Sequence, residues 1–224
     1  HRLDPETDIE ETLSALTDLM REGKVGAIGA STAPASDIVE AQWVAERRGL
    51  ARFRTEQPPY SILNRSIERE VLPTCQRYGM GVMAWSPLAK GMLTGKYRKG
   101  EALPDSLRVK YFPKAMTDAG SLDAVEQLIP LAENAGLSLV HMSLAFAITH
   151  PAVTSAIIGP RTPTQLNDLL AGAEVHLSDE ILDRIDEIVP PGVDVAPLER
   201  AAYIPPAIAQ TTLRRRTLSE RRAI

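Results

Sequence analysis

The chain has 224 residues, 44% of them apolar and 24% charged, which suits one large globular domain or two small ones. Its net charge of −4 removes the electrostatic case for nucleic acid or an anionic membrane as partner. No apolar run approaches the roughly 20 residues of a membrane span, and the single cysteine, Cys75, cannot close an internal disulfide, so a cytoplasmic, reducing setting is expected.

Taken in order, residues 1–7 read as a loop, and Asp8 is placed to cap a helix with Ile9, Leu13, Leu16, Leu19 and Met20 on one stripe. Gly23 is a natural stop for it. Residues 24–30 then predict a short strand, and a helix from about Pro34 carries Ile38, Val39, Trp43 and Val44 before Gly49. A strand over 52–57 follows, then a helix from about Pro73 to Tyr78 in which Cys75 reads as a packed residue. Val82 to Trp85, between Gly81 and Ser86, predicts a strand buried on both faces that feeds a polar loop. The three strand tips recur roughly 28 residues apart, as βα units with short loops require.

Beyond Tyr97 the pattern changes. Residues 98–119 read as a long polar loop or lid, followed by helices capped by Ser121 and Ser138. A fourth strand is expected over 153–158, then a helix through Leu170. Ser178 is placed to cap a last helix with Ile181, Leu182, Ile185 and Ile188 inward. The tail, 191–224, is proline-rich and then basic (Arg214 to Arg216, Arg221, Arg222), and is expected to be partly disordered. About four parallel βα units leave two open sheet edges where an eightfold barrel needs twice as many strands. The chain therefore predicts an α/β fold, the C-terminal half of a (β/α)8 TIM barrel over 1–190 with extra helices. It begins with His1, so an upstream portion is also expected. A doubly wound sheet is the alternative, but no Gly-rich fingerprint follows a strand.

Five short motifs stand in order: His1-Arg2-x-Asp4-Pro5, Gly23-Lys24-Val25 with Ile28-Gly29-x-Ser31, Glu56-Gln57-x-x-Tyr60, Trp85-Ser86-Pro87-Leu88-x-x-Gly91, and Ile158-Gly159-x-Arg161 with Gln165-Leu166. Together they resemble the aldo/keto reductases, in the branch with bacterial reductases and potassium-channel β subunits. The resemblance implies an NADP(H)-dependent oxidoreductase acting on a small-molecule carbonyl substrate, with the cofactor across the carboxyl face of the barrel. It implies that Ser31, Thr32 and Gln57 bind the nicotinamide carboxamide and that Trp85 stacks on the ring. The Ser86 to Gly91 segment (Ser86, Pro87, Leu88, Ala89 and Gly91) would wrap the pyrophosphate, with the backbone N–H groups of its non-proline residues as donors and Lys96 and Arg108 in the loop closing over it. Gly159, Arg161, Gln165 and Asp168 match the adenosine end, where a guanidinium beside a helix start suits a 2′-phosphate. Leu169 departs from the family's usual Asn. Of the family's Asp, Tyr, Lys and His, only His1 is assignable as catalytic, and no tyrosine here matches the acid position. The resemblance equally permits an NADPH-binding regulatory subunit or an inactive fragment. Read without it, Trp85 is a core aromatic, Lys96 a solvated charge, and Gly29, Gly91 and Gly159 strand terminators. No metal-ligand spacing is present, and a homo-oligomer is left open.

Overall fold

The computed structural model describes residues 1–4, 6–195 and 210–215. Helix α1, Ile9–Arg21, starts where Asp8 accepts the N–H of Glu10 at 2.8 Å. It ends at Gly23, whose φ of 71° lets the N–H groups of Gly23 and Lys24 reach back to Met20 and Leu19. Leu13 faces the core, but Leu19, expected on the same stripe, lies on the outer side. Strand β1 is Gly29–Ala30, α2 is Ala35–Arg48, β2 is Thr55–Glu56, α3 is Val71–Arg77 and β3 is Gly81–Trp85. After a 3-10 turn at Ala89–Thr94 come α4, Leu107–Tyr111, α5, Pro113–Met116, α6, Ala119–Asn134, and α7, Leu139–Thr149. Strand β4, Ser155–Ile157, α8, Pro163–Ala173, and α9, Asp179–Ile188, complete the order.

The four strands lie in sequence order, β1-β2-β3-β4, and every pair is parallel. A doubly wound sheet reverses its strand order at a switch point; an arc of a (β/α)8 barrel keeps it sequential, as here. Strand tips fall at Ala30, Glu56 and Trp85, as their recurrence predicts. The strands are shorter than expected at their amino ends, and Val25 to Ile28 and Arg52 to Arg54 stand outside the regular ladder. Ile28 and Arg54 still exchange one bond, Arg54 N–H to Ile28 O at 2.8 Å.

Side-chain alternation on β3 corrects one expectation. Val82 and Ala84 are fully buried among the helices, whereas Gly81, Met83 and Trp85 are half-buried, so the strand has one closed and one open face. On α2 the inward set is Ile38, Ala41, Gln42, Val44 and Ala45. Val39 and Trp43 face outward, and Arg47 lies 5.2 Å above the Trp43 ring. Apolar residues at adjacent positions of that helix cannot all share one face, and the alanines define the closer-packed one. Helix α6 is capped by Asp118, which accepts both the N–H and the hydroxyl of Ser121, so Ser121 is inside the first turn. Ser138 caps α7 as expected, and Ile185 of α9 is fully buried.

The expected lid is partly helical. Arg98 grips Glu126 of α6 through two bonds of 2.8 and 2.7 Å, which hold that carboxyl down to about 2. The tail's first residues are also tied down: Arg65 N–H bonds Val193 O, and Val195 N–H bonds Leu63 O. Most of the tail for which disorder is expected, including Arg216, Arg221 and Arg222, lies outside the described residues.

Two buried polar features organise the loops above the sheet. Arg65, 5% exposed, donates to Glu68 at 2.8 Å, to Asp186 at 2.6 Å and to the carbonyl of Val189 at 2.6 Å, and lies 5.0 Å over Phe146. Glu56 is fully buried at the end of β2. One carboxyl oxygen accepts the N–H of Ala33 at 3.0 Å, and the other has no hydrogen-bond partner. Burial pushes this carboxyl up to about 7, against the opposing pull of the Ala33 and Thr32 N–H groups.

Between pH 4.5 and 7 the unfolded chain therefore releases the Glu56 proton while the folded chain keeps it. Stability from this group is complete below about pH 4.5 and is lost as pH rises to about 7. The stability of the wild-type chain relative to Glu56→Gln, by urea titration, should fall by on the order of 3 kcal/mol across that window. A difference that does not change with pH would refute the shift. Separately, a Cβ at Gly29 would stand 2.7 Å from the carbonyl oxygen of Thr55, so the glycine is what lets β1 and β2 approach. Gly29→Ala should cost about 1–3 kcal/mol, seen as a lower urea midpoint at unchanged slope.

Candidate functional site

The residues after β1 and β2 are drawn together by direct bonds. Ser31 takes the carbonyl of His1 through its N–H at 3.0 Å and the carbonyl of Gln57 through its hydroxyl at 2.9 Å. Its Oγ also lies 3.4 Å from Thr32 Oγ1, and Gln57 N–H bonds Ala30 O at 3.0 Å. His1, Ser31, Thr32 and Gln57 thus form one cluster at the carboxyl tips of adjacent strands. Trp85 joins it through the backbone: its N–H bonds Pro58 O at 3.0 Å and its carbonyl accepts Tyr60 N–H at 3.1 Å. Its half-buried ring lies on the open face of β3.

Among the described residues, four non-glycines have positive φ, and all lie in these tip loops: Thr32 at 56°, Ser86 at 60°, Ala89 at 46° and Lys90 at 58°. Such conformations cost roughly 1–3 kcal/mol each and persist only where the surroundings enforce them. In the loop after β3, Pro87 and Ala89 are buried and Leu88 packs on the core, so three residues anchor it from below. Ser86 closes it, with its hydroxyl accepting Lys90 N–H at 2.9 Å and its carbonyl accepting Ala89 N–H at 2.8 Å. Gly91, at φ 101°, donates its N–H to Leu88 O. The N–H groups of Ala89 and Gly91, expected to face a pyrophosphate, and that of Lys90 between them are thus engaged within the loop.

Cationic side chains surround the same loop. Lys90 Nζ lies 4.8 Å over the Phe112 ring, and Tyr97 OH lies 3.4 Å from Ser106, so the lid docks on the loop at two points. Lys96 is exposed with its Nζ 4.9 Å from the Tyr97 ring, and Arg108 is exposed on α4.

A second cluster follows β4, whose Ile157 pairs with Trp85 across the sheet. Thr162 caps α8 by accepting Gln165 N–H at 3.2 Å, and the Gln165 side chain accepts Arg161 N–H at 2.8 Å. Gln165 therefore shapes the helix start, and the exposed Arg161 guanidinium makes no ion pair among the described residues. Gly159 is exposed and its Cβ position is open space, so no crowding explains a glycine there. Asp168 pairs with His141 of α7 at 2.8 Å. Leu169 is buried, which gives the departure from Asn a packing role.

Several alternatives are closed by burial. Tyr60 is 2% exposed, and its hydroxyl donates to Glu68 at 2.7 Å; burial first, then the Glu68 charge, raises it well above the usual phenol range. Burial pushes the Cys75 thiol up to about 12, which leaves no thiolate nucleophile. A cavity of about 130 Å3 lies between residues 1–4, Thr12, Leu16 and Phe53, and its lining includes none of Ser31, Gln57, Trp85 or Arg161. No described helix by itself is long and apolar enough to cross a membrane. Sequence reasoning missed Glu56 and Lys90. The signal for Glu56 was a lone acid inside a strand whose next residue, Gln57, is expected to bind the nicotinamide.

A model of the aldo/keto reductase family matches residues 1–190. An "uncharacterized oxidoreductase YrpG" of Bacillus subtilis is 37% identical over 191 residues, 85% of this chain and 57% of the relative. A "Probable voltage-gated potassium channel subunit beta" of Oryza sativa subsp. japonica is 35% identical over 196 residues, 84% of this chain and 60% of the relative. Versiconal hemiacetal acetate reductase of Aspergillus parasiticus is 29% identical over 189 residues, 84% of this chain and 55% of the relative. The chain spans less than two thirds of the length of these relatives. On the family match and on this sequence of parallel βα units, the chain belongs to the aldo/keto reductase family.

Proposed function

We propose that this chain carries the cofactor side of an NADP(H)-dependent oxidoreductase that reduces aldehydes or ketones. The observation that supports it is the convergence of Ser31, Thr32, Gln57 and the Trp85 face at adjacent strand tips, beside a loop held in a strained form. The donor set fits a nicotinamide: hydroxyl and carboxamide groups offer both donors and acceptors to its amide. The half-buried Trp85 ring offers a stacking surface. When bound, the reduced cofactor supplies the hydride.

On this reading Ser31, Thr32 and Gln57 fix the ring's rotation, and Trp85 covers one face so that the other meets the carbonyl. His1, whose backbone carbonyl accepts the Ser31 N–H, supplies the imidazole that orients and polarises the carbonyl oxygen. With the N–H groups of Ala89, Lys90 and Gly91 already engaged, the phosphates are held mainly by side-chain charge, from Lys90, Lys96 and Arg108. Arg161, just ahead of α8, takes the 2′-phosphate. The proton for the carbonyl oxygen comes from elsewhere than Tyr60, whose hydroxyl is committed to Glu68.

The potassium-channel-subunit relative favours a second reading, in which the bound dinucleotide regulates a partner and turnover is slow.

Titrating NADPH into the full-length protein carrying Trp43→Phe should quench Trp85 fluorescence. No quenching at saturating NADPH would overturn the proposal. Arg161→Gln should weaken NADPH about 10–100-fold and leave NADH nearly unchanged, the loss of one charge-assisted pair. Steady-state turnover of aldehydes separates the two readings.

A further inference from the structure

Glu56 is unlike every other residue of the sheet. It is a fully buried carboxyl at the end of a strand, and the next residue, Gln57, is half-buried and by strand alternation belongs to the opposite face. Two general outcomes are open to a buried acid: it is paired with a cation, or it holds polar groups that nothing else can satisfy. No side-chain cation makes an ion pair with Glu56 among the described residues; the amino-terminal charge acts on it only weakly, and its carboxyl accepts the N–H of Ala33, the residue after the strained Thr32, whose own N–H also pulls on it. The second oxygen has no partner.

The turn after β1 needs an external support of this kind. Thr32 is β-branched, and φ of 56° is a conformation such residues rarely adopt. The corresponding strained turn after β3 is closed from within, by the Ser86 hydroxyl on Lys90 N–H. After β1 the Ser31 hydroxyl is instead turned toward Gln57 O, so the support for the next two residues comes from behind, from Glu56.

We propose that Glu56 is a positioning residue for the nicotinamide end of the dinucleotide. Its carboxyl latches the Ser31-Thr32-Ala33 turn so that the Ser31 and Thr32 hydroxyls stand beside Gln57. The last residue of β2 and the one after it then serve opposite faces, Gln57 toward the ligand and Glu56 on the turn that completes the same subsite. This inference rests on the NADP(H) reading and adds a residue to it.

The test compares binding of NADPH with binding of 2′-phospho-ADP-ribose, which keeps the adenosine end and lacks the nicotinamide. It uses full-length wild type, Glu56→Ala, Glu56→Gln and Glu56→Asp, by calorimetry, with amide exchange at Thr32 and Ala33 as a second readout. Glu56→Ala should bind NADPH about tenfold more weakly, the loss of roughly one net hydrogen bond, and bind 2′-phospho-ADP-ribose within about twofold of wild type. Exchange at Ala33 should speed up in the same variant. Glu56→Gln, whose amide oxygen can still accept the Ala33 N–H, should recover most of the NADPH affinity. Glu56→Asp, one methylene short, should match Glu56→Ala and carries the test if the alanine variant does not fold. Weakening of both ligands alike, or of neither, overturns the role of Glu56 while leaving the NADP(H) reading in place. Wild-type protein that binds neither ligand overturns the NADP(H) reading itself.

Discussion

The buried guanidinium of Arg65 is the constraint on which the loop architecture depends. It is taken out of water together with Glu68 and reaches Asp186 on α9 and the carbonyl of Val189 beyond it. Removing either partner of such a pair leaves an uncompensated charge, so the loop, the helix and the following segment are fixed together or not at all. Glu68 extends the network to the Tyr60 hydroxyl at 2.7 Å and to Gly192 N–H at 2.9 Å. Tyr60 in turn donates its N–H to Trp85 O. A chain of named bonds therefore runs from the end of α9 to the tip of β3. The ring face at Trp85 is set by packing some distance from the candidate site.

The two strained turns differ in how they are held, and the difference follows from sequence. After β3 the chain has a hydroxyl at the right position, Ser86, and buried apolar residues at Pro87 and Ala89 to anchor the loop. After β1 it has small residues, Ala30, Ser31 and Ala33, which pack tightly but cannot brace one another. A bracing group had to come from the neighbouring strand, and in a parallel sheet that strand brings its own tip to the same level. Register, Ala30 opposite Glu56, puts a carboxyl directly behind the turn. The cost is a buried acid whose proton is held to about pH 7.

Much of the fold was legible because its signals are local. Asp8 and Ser138 cap helices where they were expected to, Gly23 ends one, and the spacing of strand tips follows from βα geometry alone. What was not legible depends on neighbours. Trp43 is apolar but faces outward, because alanines at 41 and 45 let α2 approach more closely on their side. Asp118 displaced Ser121 as a cap because both suit the role and only tertiary packing chose the earlier start. The lid gained helices from Ser106 and Pro113, ordinary helix-start residues hidden in a polar stretch. At the site, hydroxyl, amide and aromatic residues announced themselves by type and order. Glu56 did not, since nothing in sequence says which face of a two-residue strand a charge will take.

The lid and loop contacts bear on how a dinucleotide would be held. A loop that cradles phosphate with backbone N–H groups needs those groups unoccupied, and here Ala89, Lys90 and Gly91 donate to Ser86 and Leu88. Those bonds hold the strained turn closed, so an anion that displaced them would release the constraint on Ala89 and Lys90 at the same time. Side-chain cations carry no such penalty. Lys90 is stacked on Phe112, and Lys96 stands at the loop's exposed end. On the NADP(H) reading, swinging Lys90 from the ring to a phosphate exchanges a cation–π contact for a charge-assisted bond and frees Phe112. Phosphate binding would then release one of the lid's two contacts and leave the Tyr97–Ser106 contact as the remaining tether.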